Sequence, residues 1–226
     1  MAQIAGDHAA LMDSVYRNQR YIYDFTRKYY LFGRDRLIAE LAARSGDSVV
    51  EIGCGTARNL IRMARLYPET SFYGLDASEQ MLVTARRAVN HAGMDRRIHL
   101  TQGFAENLSP SLFGRTTPFD TAVFSYSLSM IPDWKQSLKT ASAALTQDGK
   151  IHIVDFGDLT GLGSAGAGLL KVWLKLFHVS PRVEILRRLE NKAPETAARD
   201  GHLAIFPARY AFLWRGGREA VRHLML

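Results

Sequence analysis

Cysteine is almost absent from this sequence: Cys54 is the single one among 226 residues. A chain with one cysteine cannot form an internal disulfide, and such usage is typical of the reducing cytoplasm. Long apolar runs are also missing, since no stretch approaches the ~18 residues that a membrane-spanning helix needs. The N-terminus has neither the basic nor the apolar region of a secretory signal. The sequence therefore predicts a cytoplasmic protein that is neither exported nor membrane-spanning.

Several kinds of catalytic motif are missing as well. The seven histidines are scattered and there is no cysteine cluster, so no zinc-type spacing occurs. The chain has no G-x-S-x-G nucleophile elbow and no phosphate-loop lysine motif. We therefore expect no metal site, and the sequence argues against serine hydrolases and P-loop nucleotide hydrolases.

Acidic residues are fewer than basic ones, 22 against 29, which gives a formal net charge of +7. A basic surface favours an acidic partner, either anionic lipid or nucleic acid, although it can also serve solubility alone. Hydrophobic residues make up 47% of the chain, enough to form one sizeable core at this length. The composition predicts a single globular domain and does not choose among these partners.

A glycine turn between a strand and a helix is the most informative stretch that is present. Ser48–Ile52 is rich in β-branched residues and predicts a buried strand, and a helix is predicted over residues 57–66. Between them, Gly53 and Gly55 predict a tight turn that lets backbone N–H groups approach a ligand. Arg58 stands at the third glycine position of the dinucleotide fingerprint G-x-G-x-x-G, so a dinucleotide oxidoreductase is disfavoured.

An acidic residue follows this turn at a characteristic distance. Asp76 ends the next predicted strand, residues 71–76, and lies 21 residues beyond Gly55. A carboxylate at the end of the neighbouring parallel strand can accept hydrogen bonds from both ribose hydroxyls of a nucleoside. Asp76 could equally cap the helix predicted over residues 78–90, and it could do both. Turn and acid together predict a nucleoside-bearing cofactor.

Strands and helices alternate along the chain, which predicts a doubly wound α/β domain. The further strands are predicted over residues 97–101, 118–126, 150–155, 202–206 and 208–215. In such a sheet, ligands bind beyond the carboxyl ends of the strands, where the strand order reverses between the first and the fourth. Ser125, Tyr126 and Ser127 end the fourth strand and are expected at this place.

Two segments outside the predicted sheet have an unusual composition. Residues 11–34 are rich in tyrosine and arginine and form an amphipathic helix by their spacing. Residues 157–168 carry five glycines and predict an irregular loop, and residues 169–178 then predict a helix that is apolar almost all round. Both helices can be ordinary core elements, or they can lie on a membrane surface with their cations toward lipid headgroups.

The turn Glu51-x-Gly53-x-Gly55-x-Ala57 resembles motif I of class I S-adenosylmethionine-dependent methyltransferases. The segment 102–108 resembles the loop that contacts adenine in that family, with Phe104 where the family often has aspartate. The resemblance implies a doubly wound, Rossmann-like and mostly parallel seven-stranded sheet, with helices on both faces and an antiparallel C-terminal strand. It implies one domain over residues 1–226, with a helical cap at 1–45 and a helical insertion at 157–195 that can face a membrane.

The implied cofactor is S-adenosyl-L-methionine. The residues that the resemblance and the predicted strand ends assign to it are Glu51, Gly53, Cys54, Gly55, Asp76, Ala77, Phe104, Ala105, Glu106 and Ser125. Candidates for removing a proton from an acceptor amine are Tyr126 and Asp155, and Tyr23 is a further catalytic candidate among the aromatic side chains that could bind a quaternary cation.

Four stretches resemble bacterial betaine-lipid N-methyltransferases: residues 21–27, 31–35, 51–56 and 74–78. This resemblance implies trimethylation of diacylglyceryl-homoserine to the betaine lipid diacylglyceryl-trimethylhomoserine, at the inner face of the cell membrane. It implies a lipid substrate, contact with anionic phospholipid, no nucleic acid, and the enzyme that makes diacylglyceryl-homoserine as a functional partner. Methylation of phosphatidylethanolamine or of a quinone precursor stays open, as does a nonenzymatic basic module that binds lipid or nucleic acid.

Overall fold

The computed structural model describes residues 32–175, 179–191 and 201–225 of the chain. Seven strands form one sheet in the order β3-β2-β1-β4-β5-β7-β6. The strands are β1 (Ser48–Ile52), β2 (Ser71–Asp76), β3 (Ile98–Gln102), β4 (Phe119–Ser125), β5 (Leu145–Phe156), β6 (His202–Ile205) and β7 (Ala211–Gly217). The described α-helices are α1 (Arg34–Ala39), α2 (Arg58–Leu66), α3 (Glu79–His91), α4 (Trp134–Ala143), α5 (Gly163–Lys175), α6 (Val183–Asn191) and α7 (Arg218–Met225).

The sheet is buried on both faces, as a parallel sheet requires. Every residue of β1 is buried, and alternate side chains along the central strands enter two hydrophobic clusters. Val49 belongs to one cluster and Val50 to the other, because successive side chains of a strand point to opposite faces. The β-branched run that predicted this strand therefore occupies the centre of the molecule.

The strand order reverses beside β1. This strand pairs in parallel with β2 on one side and with β4 on the other, while the chain passes from β1 to β2 and β3 before returning to β4. The carboxyl ends of β1, β2 and β4 thus meet at one edge, where the connections diverge and leave a crevice. The predicted fold class is confirmed, including the antiparallel pairing of β7 with β5.

The spacing of Leu37, Ile38 and Leu41 predicts a helix over residues 35–44, and the observed helix ends earlier. Helix α1 stops at Ala39, and the Tyr67 hydroxyl donates to the Ile38 carbonyl at 2.9 Å. Ala42 then adopts a positive φ of 51°, which takes the backbone out of the helical region. Residues 1–31 of the predicted helical cap, including Tyr23, lie outside the described residues.

Two further expectations about secondary structure were wrong. Half of the predicted loop 157–168 is helical, because α5 begins at Gly163 and its later residues Leu170 and Leu174 pack against the core. Tertiary packing of this kind overrides the low helix propensity of glycine. The sequence signals also missed α7, which follows β7 and buries Ala220 and Val221. Ser180 followed by Pro181 predicts a helix that begins at Pro181, but helix α6 begins two residues later, at Val183.

Candidate functional site

A cleft opens at the carboxyl edge of the sheet, between the ends of β1, β2 and β4. Three stretches form it: the turn after β1, the turn after β2 with the loop after β3, and the loop after β4. The lining residues are Ile52, Gly53, Gly55, Leu75, Asp76, Ala77, Gly103, Phe104, Ala105, Glu106, Tyr126, Ser127, Met130, Ile131 and Pro132. Seven of the ten predicted cofactor residues are among them, as is Tyr126.

Gly53 sits where a side chain has no room. Its φ is +75°, and a Cβ atom built on it would lie 2.6 Å from the Ser127 Cβ. The turn after β1 and the loop after β4 therefore approach each other more closely than any other residue would permit. The Gly53 and Cys54 amides both donate to the Leu75 carbonyl, at 2.8 and 3.1 Å, which ties the same turn to β2.

Asp76 links the two turns that face the cleft. Its Oδ2 accepts a hydrogen bond from the Gly55 amide at 2.7 Å, and its Oδ1 accepts one from the Ser78 amide at 2.9 Å. The cap of α3 is Ser78, whose hydroxyl accepts from the Met81 amide, so Asp76 is not itself the N-cap. A carboxylate has about four acceptor sites, so the oxygens of Asp76 retain capacity for hydroxyl groups of a ligand.

The cleft carries negative charge and an apolar wall. Among the described lining residues, Asp76 and Glu106 are carboxylates and none is a lysine, arginine or histidine. Phe104 lies on one side and Met130 and Ile131 on the other, forming apolar surface of the kind that accepts a flat aromatic ring. Such a site suits a ligand with positive charge and an aromatic base better than one with a pyrophosphate.

Ser127 supplies an unsatisfied polar atom at the same place. Its side chain is buried, lines the cleft, and has no hydrogen-bond partner for its Oγ among the described residues. A buried hydroxyl without a partner is uncommon in folded proteins and indicates that a bound molecule completes it. The glycine cradle, the Asp76 carboxylate and the Ser127 hydroxyl all fit a small polar ligand with a nucleoside.

Three of the predicted cofactor residues, Glu51, Cys54 and Ser125, do not line the cleft. Glu51 is buried, and its Oε1 accepts a hydrogen bond at 2.7 Å from Asn59 in α2. Cys54 packs in the core, where burial, followed by the charges of Asp76 and Glu51, raises the pKa of its thiol. Ser125 is buried at the end of β4. Glu51 supports the turn through α2, and Cys54 is not poised as a thiolate nucleophile.

Tyr126 joins the cleft to an aromatic cluster. It has a positive φ of 57°, a conformation that non-glycine residues rarely adopt and that clusters at functional sites. Its hydroxyl donates to the Phe32 carbonyl at 2.6 Å, and its ring lies 4.8 Å from the ring of Phe156. Tyr210 packs edge-on against both Phe156 and Phe32, at 5.8 and 5.4 Å. The hydroxyl that we predicted to remove a proton is thus used to hold the chain before α1.

Asp155 accepts a hydrogen bond from the loop after β4. It is fully buried, its Oδ2 accepts from the Ser129 amide at 3.0 Å, and its Oδ1 accepts from the Phe156 amide at 2.8 Å. Burial raises the pKa of this carboxyl to about 6, against the opposing effect of those hydrogen bonds. Asp155 does not line the cleft, so its geometry is that of a positioning residue, acting through Ser129 and its neighbours.

Residues 50–151 match a family of methyltransferase domains. The match runs from β1 into β5 and so contains every strand end that forms the cleft. It covers just under half of the chain.

One curated relative of this chain is the demethylmenaquinone methyltransferase of Lactobacillus johnsonii, 28% identical over 123 residues, which are 54% of this chain and 49% of that protein. Another is the ubiquinone/menaquinone biosynthesis C-methyltransferase UbiE of Syntrophotalea carbinolica, 27% identical over 207 residues, 89% of this chain and 82% of that protein. The chain thus spans about half the length of the first relative and most of the second.

Solved structures share the fold of this chain. The S-adenosylmethionine-dependent methyltransferase SibL, in its apo form, superposes with a TM-score of 0.67 at 19% identity, over 88% of this chain and 58% of that one. A methyltransferase from Aquifex aeolicus gives 0.58 at 13% identity, over 84% of this chain and 92% of that one. The cofactor of the methyltransferase domain is S-adenosyl-L-methionine, and the cleft fits it by its glycine cradle, its Asp76 carboxylate and its negative charge.

Sequence reasoning gave no role to the cleft residues Met130, Ile131 and Pro132, whereas it expected Ser127 at the ligand site and included Gly103 in the segment that resembles an adenine-contacting loop. The three residues without a role follow β4, and that position at the reversal of strand order is the signal that could have found them. The contact of Ser127 with Gly53 has no signal in the sequence, because it joins residues 74 positions apart.

Replacing Asp155 with asparagine should change how stability depends on pH. The folded-state pKa of about 6 lies above the usual 3.8, so Asp155 contributes stability that is present below pH 3.8 and is lost as the pH rises through 6. Asp155→Asn lacks this dependence. Its stability relative to the wild type should therefore increase between pH 4 and pH 7, by about 2–3 kcal/mol.

Urea unfolding of both proteins at pH 4.5, 5.5, 6.5 and 7.5 measures this difference. His152 is buried with its pKa lowered to about 4, mainly by burial, and contributes the opposite slope. Since His152 is present in both proteins, its contribution cancels in the comparison. A difference between the two proteins that stays constant from pH 4.5 to 7.5 would contradict the buried, proton-binding state of Asp155.

Proposed function

We propose that this S-adenosylmethionine-dependent methyltransferase acts on an amphiphilic acceptor that stays in the lipid bilayer. The observation that carries the methyl-transfer part is the cleft itself, in which the cradle at Gly53 and the carboxylate of Asp76 meet at the reversal of strand order. The bilayer-held acceptor is supported by the relatives, whose names refer to menaquinone and ubiquinone, and by the basic net charge of +7.

When bound, S-adenosylmethionine supplies a methyl group on a positively charged sulfur that leaves as a neutral thioether. The chain must then bind the cofactor, bring the acceptor atom to ~3–3.5 Å from the methyl group, and exclude water. We propose that Asp76 accepts from the ribose hydroxyls, that the apolar side chains of Phe104, Met130 and Ile131 hold the adenine ring, and that Ser127 binds the aminocarboxypropyl end, since all of them line the cleft.

The first candidate acceptor is a ring carbon of a quinone precursor. The relatives support it, since both carry names of quinone-pathway methyltransferases, and one aligns with 89% of this chain. A quinol with an isoprenoid tail remains in the membrane because burial of each CH₂ group stabilises it by about 0.8 kcal/mol.

The second candidate acceptor is the amino group of diacylglyceryl-homoserine. The block 31–35, which resembles betaine-lipid N-methyltransferases, includes Phe32, and the Phe32 carbonyl accepts the hydrogen bond of the cleft residue Tyr126. Phe32 of this block therefore contacts a residue that lines the cleft, whereas Leu31 and residues 21–27 lie outside the described residues. Aromatic side chains such as Tyr126 would also suit a product that becomes a quaternary cation.

One assay separates the candidates. The protein is incubated with S-adenosylmethionine labelled in its methyl group and with vesicles that carry demethylmenaquinol, diacylglyceryl-homoserine or phosphatidylethanolamine. We expect label in the lipid fraction, dependent on one of these acceptors. Label in the quinol supports the first candidate, and label in diacylglyceryl-homoserine supports the second. Label in phosphatidylethanolamine alone would replace both candidates, and no transfer to any lipid would contradict the proposal.

A further inference from the structure

Within the part of the chain that the structure describes, helix α5 has apolar side chains that are largely exposed. Leu169 is 76% exposed and Val172 is 62% exposed, the two largest values among the exposed large hydrophobic residues. They are three positions apart and therefore lie on the same face of the helix. Lys175 continues this face one turn later and is exposed. We call Leu169, Val172 and Lys175 the outer face of α5.

The opposite side of α5 is fixed to the domain. Leu174 is buried, and Leu170 and Trp173 are half-buried against the core cluster that contains it. The Leu174 carbonyl also accepts a hydrogen bond from the Val179 amide at 3.1 Å. The outer face is therefore presented by a helix that is held in place, and its exposure is a feature of the folded domain.

The stretch of sequence that contains α5 has charged residues of one sign. No acidic residue occurs between Asp158 and Glu184, whereas Lys171, Lys175 and Arg182 occur in the same stretch. The whole chain carries a formal net charge of +7. Helices that lie in the interface of an anionic membrane typically combine exposed apolar side chains with lysine or arginine and lack carboxylates. The leucine, valine and lysine residues of α5 fit this composition.

Two residues of the described stretch 179–191, which comes after α5 in the sequence, contact the loop after β4. The Ser180 amide donates to the Ser129 carbonyl at 3.1 Å, and Arg182 Nη2 donates to the Ile131 carbonyl at 2.9 Å. Ile131 lines the cleft. A surface bound by α5 would therefore lie near the loop that forms one wall of the site.

We propose that the outer face of α5 docks on an anionic phospholipid bilayer. The apolar side chains of Leu169 and Val172 enter the boundary between headgroups and acyl chains, and Lys175 pairs with lipid phosphates. The helix has 13 residues, and no described helix is long and apolar enough to cross a membrane, so α5 lies on the surface. The proposal goes beyond the proposed function, because it names the surface that meets the lipid.

Vesicle sedimentation tests the docking without cofactor or acceptor, so its outcome does not depend on the proposed reaction. The full chain is mixed with vesicles of phosphatidylcholine alone or with one third phosphatidylglycerol. We expect binding to the anionic vesicles, weakened by salt, and a loss of at least about tenfold in partitioning for Leu169→Gln/Val172→Ser. Lys175→Gln should reduce the preference for anionic over neutral vesicles.

The matched control is Leu112→Gln/Val83→Ser, which changes the same residue types at two other exposed positions, each 40% exposed. It should bind vesicles like the wild type. Equal losses in both double variants, or undiminished binding of the α5 variant, would overturn the proposal. So would a change from dimer to monomer in Leu169→Gln/Val172→Ser without vesicle binding by the wild type, because a second copy would then be the occupant.

Discussion

Replacing Asp76 with alanine should weaken S-adenosylmethionine binding by at least about a hundredfold. Hydrogen bonds to a charged group contribute about 1.5–3 kcal/mol each, and we propose that Asp76 accepts from two ribose hydroxyls. The substitution also removes the acceptor of the Gly55 and Ser78 amides, so both turns that face the cleft lose a tie. Isothermal titration calorimetry with S-adenosylmethionine measures the change directly.

Asp120 provides a matched control for this substitution. Asp120 is also a carboxylate that accepts two hydrogen bonds. Its Oδ2 accepts one from the Ser48 amide and one from the Ser48 hydroxyl, each at 2.8 Å. It lies at the other edge of the sheet, where β1 begins. Asp120→Ala should lower the free energy of unfolding about as much as Asp76→Ala does, because each variant loses two hydrogen bonds. It should leave the affinity for the cofactor within about twofold of the wild type. Unchanged affinity in Asp76→Ala would remove Asp76 from the ribose role.

Replacing Gly53 with alanine should disrupt both stability and cofactor binding. The new Cβ would meet the Ser127 Cβ at 2.6 Å, and the backbone would stay at a φ of +75° that alanine tolerates poorly. We expect a loss of about 3 kcal/mol in unfolding free energy and at least about a tenfold loss of cofactor affinity, because the turn must move away from the loop after β4.

The variant Gly46→Ala separates the effect of backbone strain from the effect of the steric clash. Gly46 has a φ of +83° but nothing lies within 4 Å of a built Cβ, so Gly46→Ala reports backbone strain without a clash. We expect it to cost about 1–2 kcal/mol and to leave cofactor affinity unchanged. The double variant Gly53→Ala/Ser127→Gly should recover part of the lost unfolding free energy, because it removes the Ser127 Cβ, which is the atom nearest to the new methyl group. Equal effects of Gly53→Ala and Gly46→Ala would contradict the close packing described for the cleft.

The cofactor half of the site could be predicted because its signals are local. The signals come from β1, from the glycine turn that follows it and from Asp76 at the end of β2. All three lie within one strand-helix-strand unit. The structure joins them through the hydrogen bond from the Gly55 amide to Asp76. Arg58, the departure from the dinucleotide fingerprint, is the first residue of α2 and is exposed.

The roles of buried polar groups could not be predicted, because they depend on contacts across the fold. Asp155 was assigned as a possible base from its place at a strand end, but its partner Ser129 belongs to another connection. Tyr126 was expected at the cleft and lies there, while the partner of its hydroxyl is 94 positions away along the chain. The hydrogen bonds of both side chains hold neighbouring backbone in place.

The most direct measurement is a crystal structure of the full chain with S-adenosylhomocysteine, the demethylated cofactor. Our account predicts the nucleoside in the cleft, with its ribose hydroxyls on Asp76, its adenine against Phe104 and its amino-acid end at Gly53 and Ser127. A nucleoside bound elsewhere, or a ribose without contact to Asp76, would contradict the account.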